Sequence, residues 1–395
     1  MDEARTPALR ALLDEVWREA LVAVDAHGAT RAALQRWLGG AVPAEPVRVL
    51  AVGKAAGAMA DGAAEALGGR VAPGSRATLP DGARAAQAPG VVTERAAHPL
   101  PDERSRRAGE AALACVQDGA PWVLCLSGGA SSLWLAPAAP LDLAGARALT
   151  QALLASGRTI EQMNDVRRQV SRVAGGGLLR AAARPPLCVL VLSDVRGGEA
   201  RAVGSGPCWP DETPEPGSPP SHDRPAHLVV GSNQTLVEAA RAVLARRGAD
   251  VVEATWDEDD DVEALAVRWQ ARAARVGLAR RAAAVSGGEP RVALPRGISA
   301  GRGGRCTHLA LLVARALAGR AGVAFAAVAS DGVDGCSGAA GAIVDGSTWA
   351  PGAAEAVARF DAASFLAQRG ALVPEAPSGV NVRDLHVVVA EPGRA

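Results

Sequence analysis

Among 42 basic residues only one is a lysine, Lys54, and the chain contains no tyrosine. Alanine and arginine dominate, a bias that would replace any lysine needed only as a surface cation. A compact ammonium of tunable proton affinity, and not a planar guanidinium, is therefore wanted at this position. Lys54 follows the apolar run 47–53 (VRVLAVG), and other apolar runs end in similar small, polar sequence. These ends are Ser127-Gly128-Gly129-Ala130-Ser131-Ser132, Ser193-Asp194, Gly231-Ser232-Asn233, Ser286-Gly287-Gly288-Glu289 and Ser330-Asp331-Gly332. Glycine lets backbone N–H groups approach an anion closely, and helix amino termini favour negative charge. One lysine, several carboxylates and three glycine-rich turns suit a phosphate ligand accompanied by magnesium. Glycine after a strand more often just turns the chain, so each turn alone is weak and only the set of them is informative.

Other chemistries lack their residues. A phosphate-binding P-loop needs GxxxxGK[ST], but Arg48 stands at the first glycine and Ala55 follows Lys54. The stretch Gly301–Cys306 (GRGGRC) lacks the last glycine of a dinucleotide fingerprint and follows a turn. A GxSxG pattern at Gly297-Ile298-Ser299-Ala300-Gly301 has no apolar strand leading into the serine and runs into more glycine. The six cysteines form no CxxC pair and the six histidines show no ligand spacing, which speaks against structural zinc. Most of the cysteines sit in apolar runs, as reduced cysteine does.

The elements that must position these residues alternate strand and helix. Runs 47–53, 122–127, 187–193, 227–231, 282–286, 323–330 and 385–390 are of strand length and apolar on both faces, as buried parallel strands are. Helical stretches such as 54–67 and 262–275 separate them. The pattern predicts an α/β fold, doubly wound about a largely parallel sheet, with ligands outside the carboxyl ends of the strands. Proline-dense 207–225 reads as a long loop or a crossing between lobes. The acidic run 257–261 (DEDDD) reads as a solvated helix cap. A faint echo, LSGG at Leu126 and VSGG at Val285, falls short of a repeat.

The 395 residues suggest two domains, perhaps three. Forty-two basic residues balance 42 acidic ones, which argues against a protein built to grip nucleic acid or an anionic membrane. No apolar run reaches the ~18 residues of a membrane span, and the amino-terminal stretch is charged and amphipathic, unlike a secretory signal. The expectation is a soluble, cytoplasmic protein.

Ordered motifs then accumulate: AVGKAAGAMA from Ala51, HPLPDE from His98, LSGGASSL from Leu126, NDVRRQVSRVAGGGLL from Asn164 and LSDVRGGEARAVGSGP from Leu192. They continue with GSNQTLVEAA from Gly231, SGGEPRV from Ser286, GRGGRCTHLAL from Gly301, SDGVDGCSGAAGAIVD from Ser330 and SGVNVRDL from Ser378. Together they resemble the glycerate 2-kinase family whose carboxyl-terminal portion is the MOFRL domain, over nearly the whole chain. The resemblance implies two α/β lobes: a Rossmann-like amino-terminal domain over 1–240 and a MOFRL-type domain over 241–395, with the active site in the cleft between them. It implies transfer of phosphate from ATP, with Mg2+, to the 2-hydroxyl of D-glycerate. The family's cleft lysine falls on Lys54 and its cleft arginine on Arg305; both cations suit a transferring phosphoryl group. Asp194, Glu289, Asp331 and Asp334 become candidates for holding magnesium or orienting the substrate hydroxyl, beside the plainer reading of turn and helix caps. Asp194 is taken as catalytic and the other three as metal ligands. Ser127, Gly128, Gly129, Ser131, Gly303 and Gly304 would contact phosphate or carboxylate oxygens, Asn233 would join them, and Arg167 would clamp a carboxylate.

Departures from the family pattern stand at Arg168, Gln169, Ala174, Cys306, Thr307 and His308, and SDVPGDD becomes SDVRGGE from Ser193. They leave three functions in view: a kinase for glycerate or another 2-hydroxy acid, a hydroxypyruvate reductase-type oxidoreductase, and a nucleotide-binding homologue without turnover. The expected partners are a small acid and a nucleotide; homo-oligomerisation stays open.

Overall fold

The computed structural model describes residues 5–392 apart from 157, 159, 210–224, 277–279, 296 and 298. Most of the predicted loop 207–225 and Ile298 of the GxSxG pattern thus lie outside the described residues. Contacts divide the chain into two units. One comprises Asp25–Ser232 with Gly379–Asn381; the other comprises the residues up to Val24, Asn233–Ser378 and the stretch from Val382 on. The boundary falls at Ser232/Asn233 and not at 240. Helix α1 (Arg5–Ala23) belongs to the second unit, although it opens the chain.

The first unit runs α2 (Ala26–Trp37), β1 (Arg48–Val52), α3 (Ala56–Ala66), β2 (Arg76–Pro80), β3 (Val92–Ala96), α4 (Glu103–Cys115) and β4 (Trp122–Leu126). Then come α5 (Ala130–Leu133), α6 (Leu143–Ala155), α7 (Ile160–Val170), α8 (Gly177–Ala181), β5 (Cys188–Leu192) and β6 (Ala226–Gly231). All six strands are parallel, in the order β3-β2-β1-β4-β5-β6. Every residue of β1, β4 and β5 is buried, which explains their unbroken apolar sequence, whereas edge strand β3 (VTERA) is largely open to solvent. The order reverses between β1 and β4. Such a reversal opens a crevice at the carboxyl ends of the two strands, the preferred ligand position in this architecture.

The second unit adds α9 (Asn233–Arg246), β7 (Asp250–Thr255), α10 (Val262–Arg275), β8 (Ala282–Gly288), α11 (Arg305–Leu317), β9 (Val323–Ala329) and β10 (Ala339–Asp345). It closes with α12 (Ala353–Ala358), α13 (Ala362–Gln368), β11 (Leu372–Pro374) and β12 (Asp384–Ala390). Its sheet has the order β11-β10-β9-β12-β8-β7, and only the β7–β8 pair is parallel. The expectation of parallel strands is therefore corrected for 323–330 and 385–390, whereas 282–286 pairs in parallel with β7 and antiparallel with β12. Alternate residues (Ala282, Ala284, Phe325, Ala327, Val388) pack under α10 and α11, while α1 and α9 lie against the sheet as well. Helices on both faces make a strand apolar throughout, whichever way it runs.

Two local readings also change. Ser286, Gly287 and Gly288 lie inside β8, so the VSGG echo is strand and LSGG is turn. Asp261 stands at the α10 amino terminus but makes no side-chain cap bond. Asp257 and Asp259 of the same acidic run are instead paired with the buried Arg383, Asp257 at 2.6 Å. Among the described residues no helix is long and apolar enough to cross a membrane.

Candidate active site

The β1–β4 crevice of the first unit is built by glycines. Gly53 (φ +124°) ends the β1 run, and a Cβ there would lie 2.2 Å from Ser127 Oγ, so only glycine lets the two turns pass. Lys54 N donates to Gly128 O at 2.9 Å, and Ala55 N donates to Ser127 Oγ at 3.1 Å. The Ser127 hydroxyl is buried in this tie between turns. That is a positioning role in place of the expected oxygen contact. The Lys54 side chain is exposed and makes no hydrogen bond or ion pair among the described residues.

Gly128 and Gly129 bring three polar side chains together. A Cβ on Gly128 would meet Asp194 Oδ2 at 2.1 Å; one on Gly129 (φ +87°) would meet the His98 ring at 3.0 Å and Lys54 Cγ at 3.6 Å. The N–H groups of both glycines donate to no acceptor among the described residues. Asp194, Lys54 and the two glycines thus lie close together, and His98 joins them. Partial desolvation, then the Lys54 and Arg167 charges, lower its proton affinity and so favour the neutral ring. His98 heads the HPLPDE segment, but a histidine in a turn carries no spacing signal that could have singled it out.

Arg167, on α7, is half-buried, and burial lowers its proton affinity. Its sole side-chain partner among the described residues is Asn164 Oδ1, at a long 3.4 Å. A desolvated guanidinium without a carboxylate is a site for an incoming anion. Arg167 and Ser131 line one cavity of about 30 Å³ together with Ser205 and Ala174. Ala174 is one of the departures from the family pattern, at a position that usually holds lysine, so the cavity has Arg167 as its cation.

The candidates of the second unit are largely engaged with one another. Arg305 forks the fully buried Asp384 (Nε–Oδ2 2.6 Å, Nη2–Oδ1 2.9 Å) and meets Glu289 Oε1 at 2.9 Å through Nη1. Burial opposes its charge, but Asp384 more than offsets that and raises its proton affinity. Asp334, expected to bind metal, caps α11 instead: its two oxygens accept Cys306 N and Thr307 N, each at 2.9 Å. A Cβ on Gly304 would sit 2.2 Å from Asp334 Oδ1, so that glycine serves the cap, and Gly303 O accepts Cys336 N. Asp331 Oδ1 accepts Val333 N in its own turn. Asn233 gives both amide hydrogens to Val382 O and Asp384 O and accepts Asp257 N, which leaves it no donor for a ligand. Among the described residues no three His, Cys, Asp or Glu side chains converge, so Glu289, Asp331 and Asp334 form no common ligand set. The departures at 306–308 fill structural positions: Cys306 is core, Thr307 bonds Gly304 N, and His308 stacks on Phe360.

Burial pushes Asp384 up to about 6 against the pull of Arg305. A raised acid favours folding most below its unfolded value of 3.8, and that contribution is lost as pH rises through about 6. The fork on Arg305 runs the other way, because only the ionised carboxylate accepts both bonds. Where Arg305 serves catalysis, activity is expected to fall as pH drops through 6. Asp384→Asn should flatten that acid limb in a pH–rate profile.

Residues 12–216 match the family described as "Domain of unknown function (DUF4147)", and residues 282–384 match the MOFRL family. A D-glycerate 2-kinase of Thermotoga maritima is 30% identical over 96% of this chain and 97% of its own length. An Agrobacterium vitis protein, provisionally named a hydroxypyruvate reductase, is 34% identical over 58% of this chain, which spans 60% of that relative. The solved glycerate kinase of Thermotoga maritima superposes with a TM-score of 0.87 over 97% of this chain and all of that one, at 30% identity. A Pyrococcus horikoshii protein at 23% identity shares the fold, with a TM-score of 0.82 over 98% of this chain and 99% of its own.

Proposed function

The chain belongs to the glycerate 2-kinase family with a MOFRL carboxyl-terminal portion, and from that premise we propose that it transfers the γ-phosphoryl group of ATP to the 2-hydroxyl of D-glycerate. The products are 2-phosphoglycerate and ADP. The observation that carries the reading is Lys54: the sole lysine, without a partner among the described residues, beside two unengaged glycine N–H groups at the β1–β4 crevice. An unpaired cation and free amides suit a phosphoryl group whose oxygens gain charge in transfer. Arg167 takes the carboxylate of the acid. Asp194 orients the 2-hydroxyl, whose oxygen forms the new bond to phosphorus as the bond to ADP breaks. Neutral His98 receives the proton.

Magnesium would enter with ATP. A nicotinamide reductase is disfavoured because the first βα turn, Gly53-Lys54-Ala55-Ala56, carries Ala55 where a dinucleotide fold needs its second glycine. The direct experiment supplies ATP, magnesium and D-glycerate, and couples the product through enolase, which consumes 2-phosphoglycerate and not its 3-isomer. A coupled signal is expected. ADP release with another 2-hydroxy acid, and none with glycerate, would replace glycerate by that acid; no release with any acid would overturn the kinase reading.

A further inference from the structure

Ser205 is fully buried and sits at φ +60°, a left-handed conformation costly for a residue with a Cβ, between Gly204 and Gly206. Its hydroxyl donates to Asn164 Oδ1 at 2.9 Å and lies 2.8 Å from Ser131 Oγ. The amide of Asn164, itself buried, is held one way round because Nδ2 donates to Ala202 O at 2.9 Å. Oδ1 must therefore be the acceptor, and it takes a bond from Arg167 Nη1 as well. A hydroxyl has one hydrogen to give. Ser205 gives its hydrogen to Asn164, so the hydrogen in the Ser131–Ser205 bond comes from Ser131. The chain is one-way: Ser131 to Ser205 to Asn164.

Ser131 is half-buried, lines the same cavity as Arg167, and is left with lone pairs and no proton to offer. We infer that Ser131 is locked as an acceptor and reads a hydroxyl that the substrate keeps, the 3-hydroxyl of the acid, in place of the phosphate or carboxylate contact its motif suggests. This rests on the D-glycerate reading above. The 2-hydroxyl loses its proton during transfer, and a neutral serine is too weak a base to take it. The 3-hydroxyl keeps its proton throughout and suits a fixed acceptor. Ser205 and Asn164 are positioning residues: they set which way the Ser131 hydrogen points. A site that accepts from a hydroxyl rejects an analogue that cannot donate, because two acceptors then face each other.

D-3-fluorolactate is the probe, since fluorine is close to hydroxyl in size and cannot donate. Wild-type kcat/KM is expected to favour D-glycerate over D-3-fluorolactate by at least about tenfold. Ser131→Ala should bring that ratio close to one, chiefly by weakening glycerate. Ser205→Gly removes the lock, so Ser131 can turn its hydrogen outward, and the ratio should also fall. Glycine is at home at φ +60°, so this variant should melt no lower than wild type. Ser205→Ala, which keeps the conformation and loses the hydroxyl, should match it in ratio. Should the wild-type ratio lie near one, or stay unchanged in Ser131→Ala, the assignment is overturned while the kinase reading stands. No wild-type turnover of either acid overturns the D-glycerate reading and this assignment with it.

Discussion

Lys54→Ala is expected to lower kcat for phosphoryl transfer about a thousandfold while leaving the melting temperature at its wild-type value. The first half follows from position. On the proposed reaction, an ammonium at the β1–β4 crevice, next to the open N–H groups of Gly128 and Gly129, would stabilise charge that grows on the transferring phosphoryl, and removing one such group typically costs about 10²–10³ or more in rate. The second half follows from the lack of other work: the side chain is exposed, and the structural bond at this residue, Lys54 N to Gly128 O, belongs to the backbone. Lys54→Arg restores the charge but not the compact head, so partial recovery is expected. Wild-type turnover in Lys54→Ala would remove the crevice from the mechanism altogether.

The largest expected loss of stability comes from Arg272→Ala. Arg272, on α10, is 6% exposed, meets Glu253 and Glu258 at 2.6 Å each, and lies 4.7 Å over the Trp269 ring. Trp269 in turn packs on Phe325 at 5.0 Å in the core between α10 and the sheet. Removing the guanidinium strands Glu258, whose burial raises its proton affinity but whose pairing with Arg272 at present holds it low. Breaking a buried pair from one side costs about 3–5 kcal/mol. For a unit of this size the melting temperature should fall by roughly 10 °C. Adding Glu258→Gln should return part of the loss, because it removes the unpaired charge. Differential scanning calorimetry of the single and double variants checks both expectations.

The seven apolar runs named from sequence are all strands, and 262–275 is helix α10 over the same residues. Those segments are legible because burial on both faces leaves a continuous apolar signature. The edges are not: β3 (VTERA) and β7 (DVVEAT) face solvent in part and read as polar chain. Strand direction in the second unit is equally hidden, because helices cover its sheet on both faces and the residues look the same either way. At the site, Lys54 stood out because the composition isolates it. Asp194 and the glycines followed because they terminate strands. Asp334 and Asn233 end strands or open helices in the same manner, yet their polar atoms are consumed by backbone groups. Residue type at a strand end shows that an oxygen is present, not whom it bonds. Ser205 and Asn164 are the converse case, polar residues in quoted motifs whose meaning lies in a hydrogen-bond direction that sequence does not carry.

Helix α1 is translated before the parallel-sheet unit, yet its neighbours α9, β9 and β10 lie beyond Ser232. Its stripe of Leu9, Leu13, Val16, Trp17 and Ala20, almost wholly buried in the finished protein, has nothing to pack on until those elements leave the ribosome. At about 5–20 residues per second that interval lasts on the order of tens of seconds, long enough for all six strands of the parallel sheet to emerge. Vectorial synthesis thus completes the middle of the chain before either end of the second unit can close. A nascent chain stalled before β9 would carry an amphipathic helix with its greasy side uncovered, a natural docking point for chaperones.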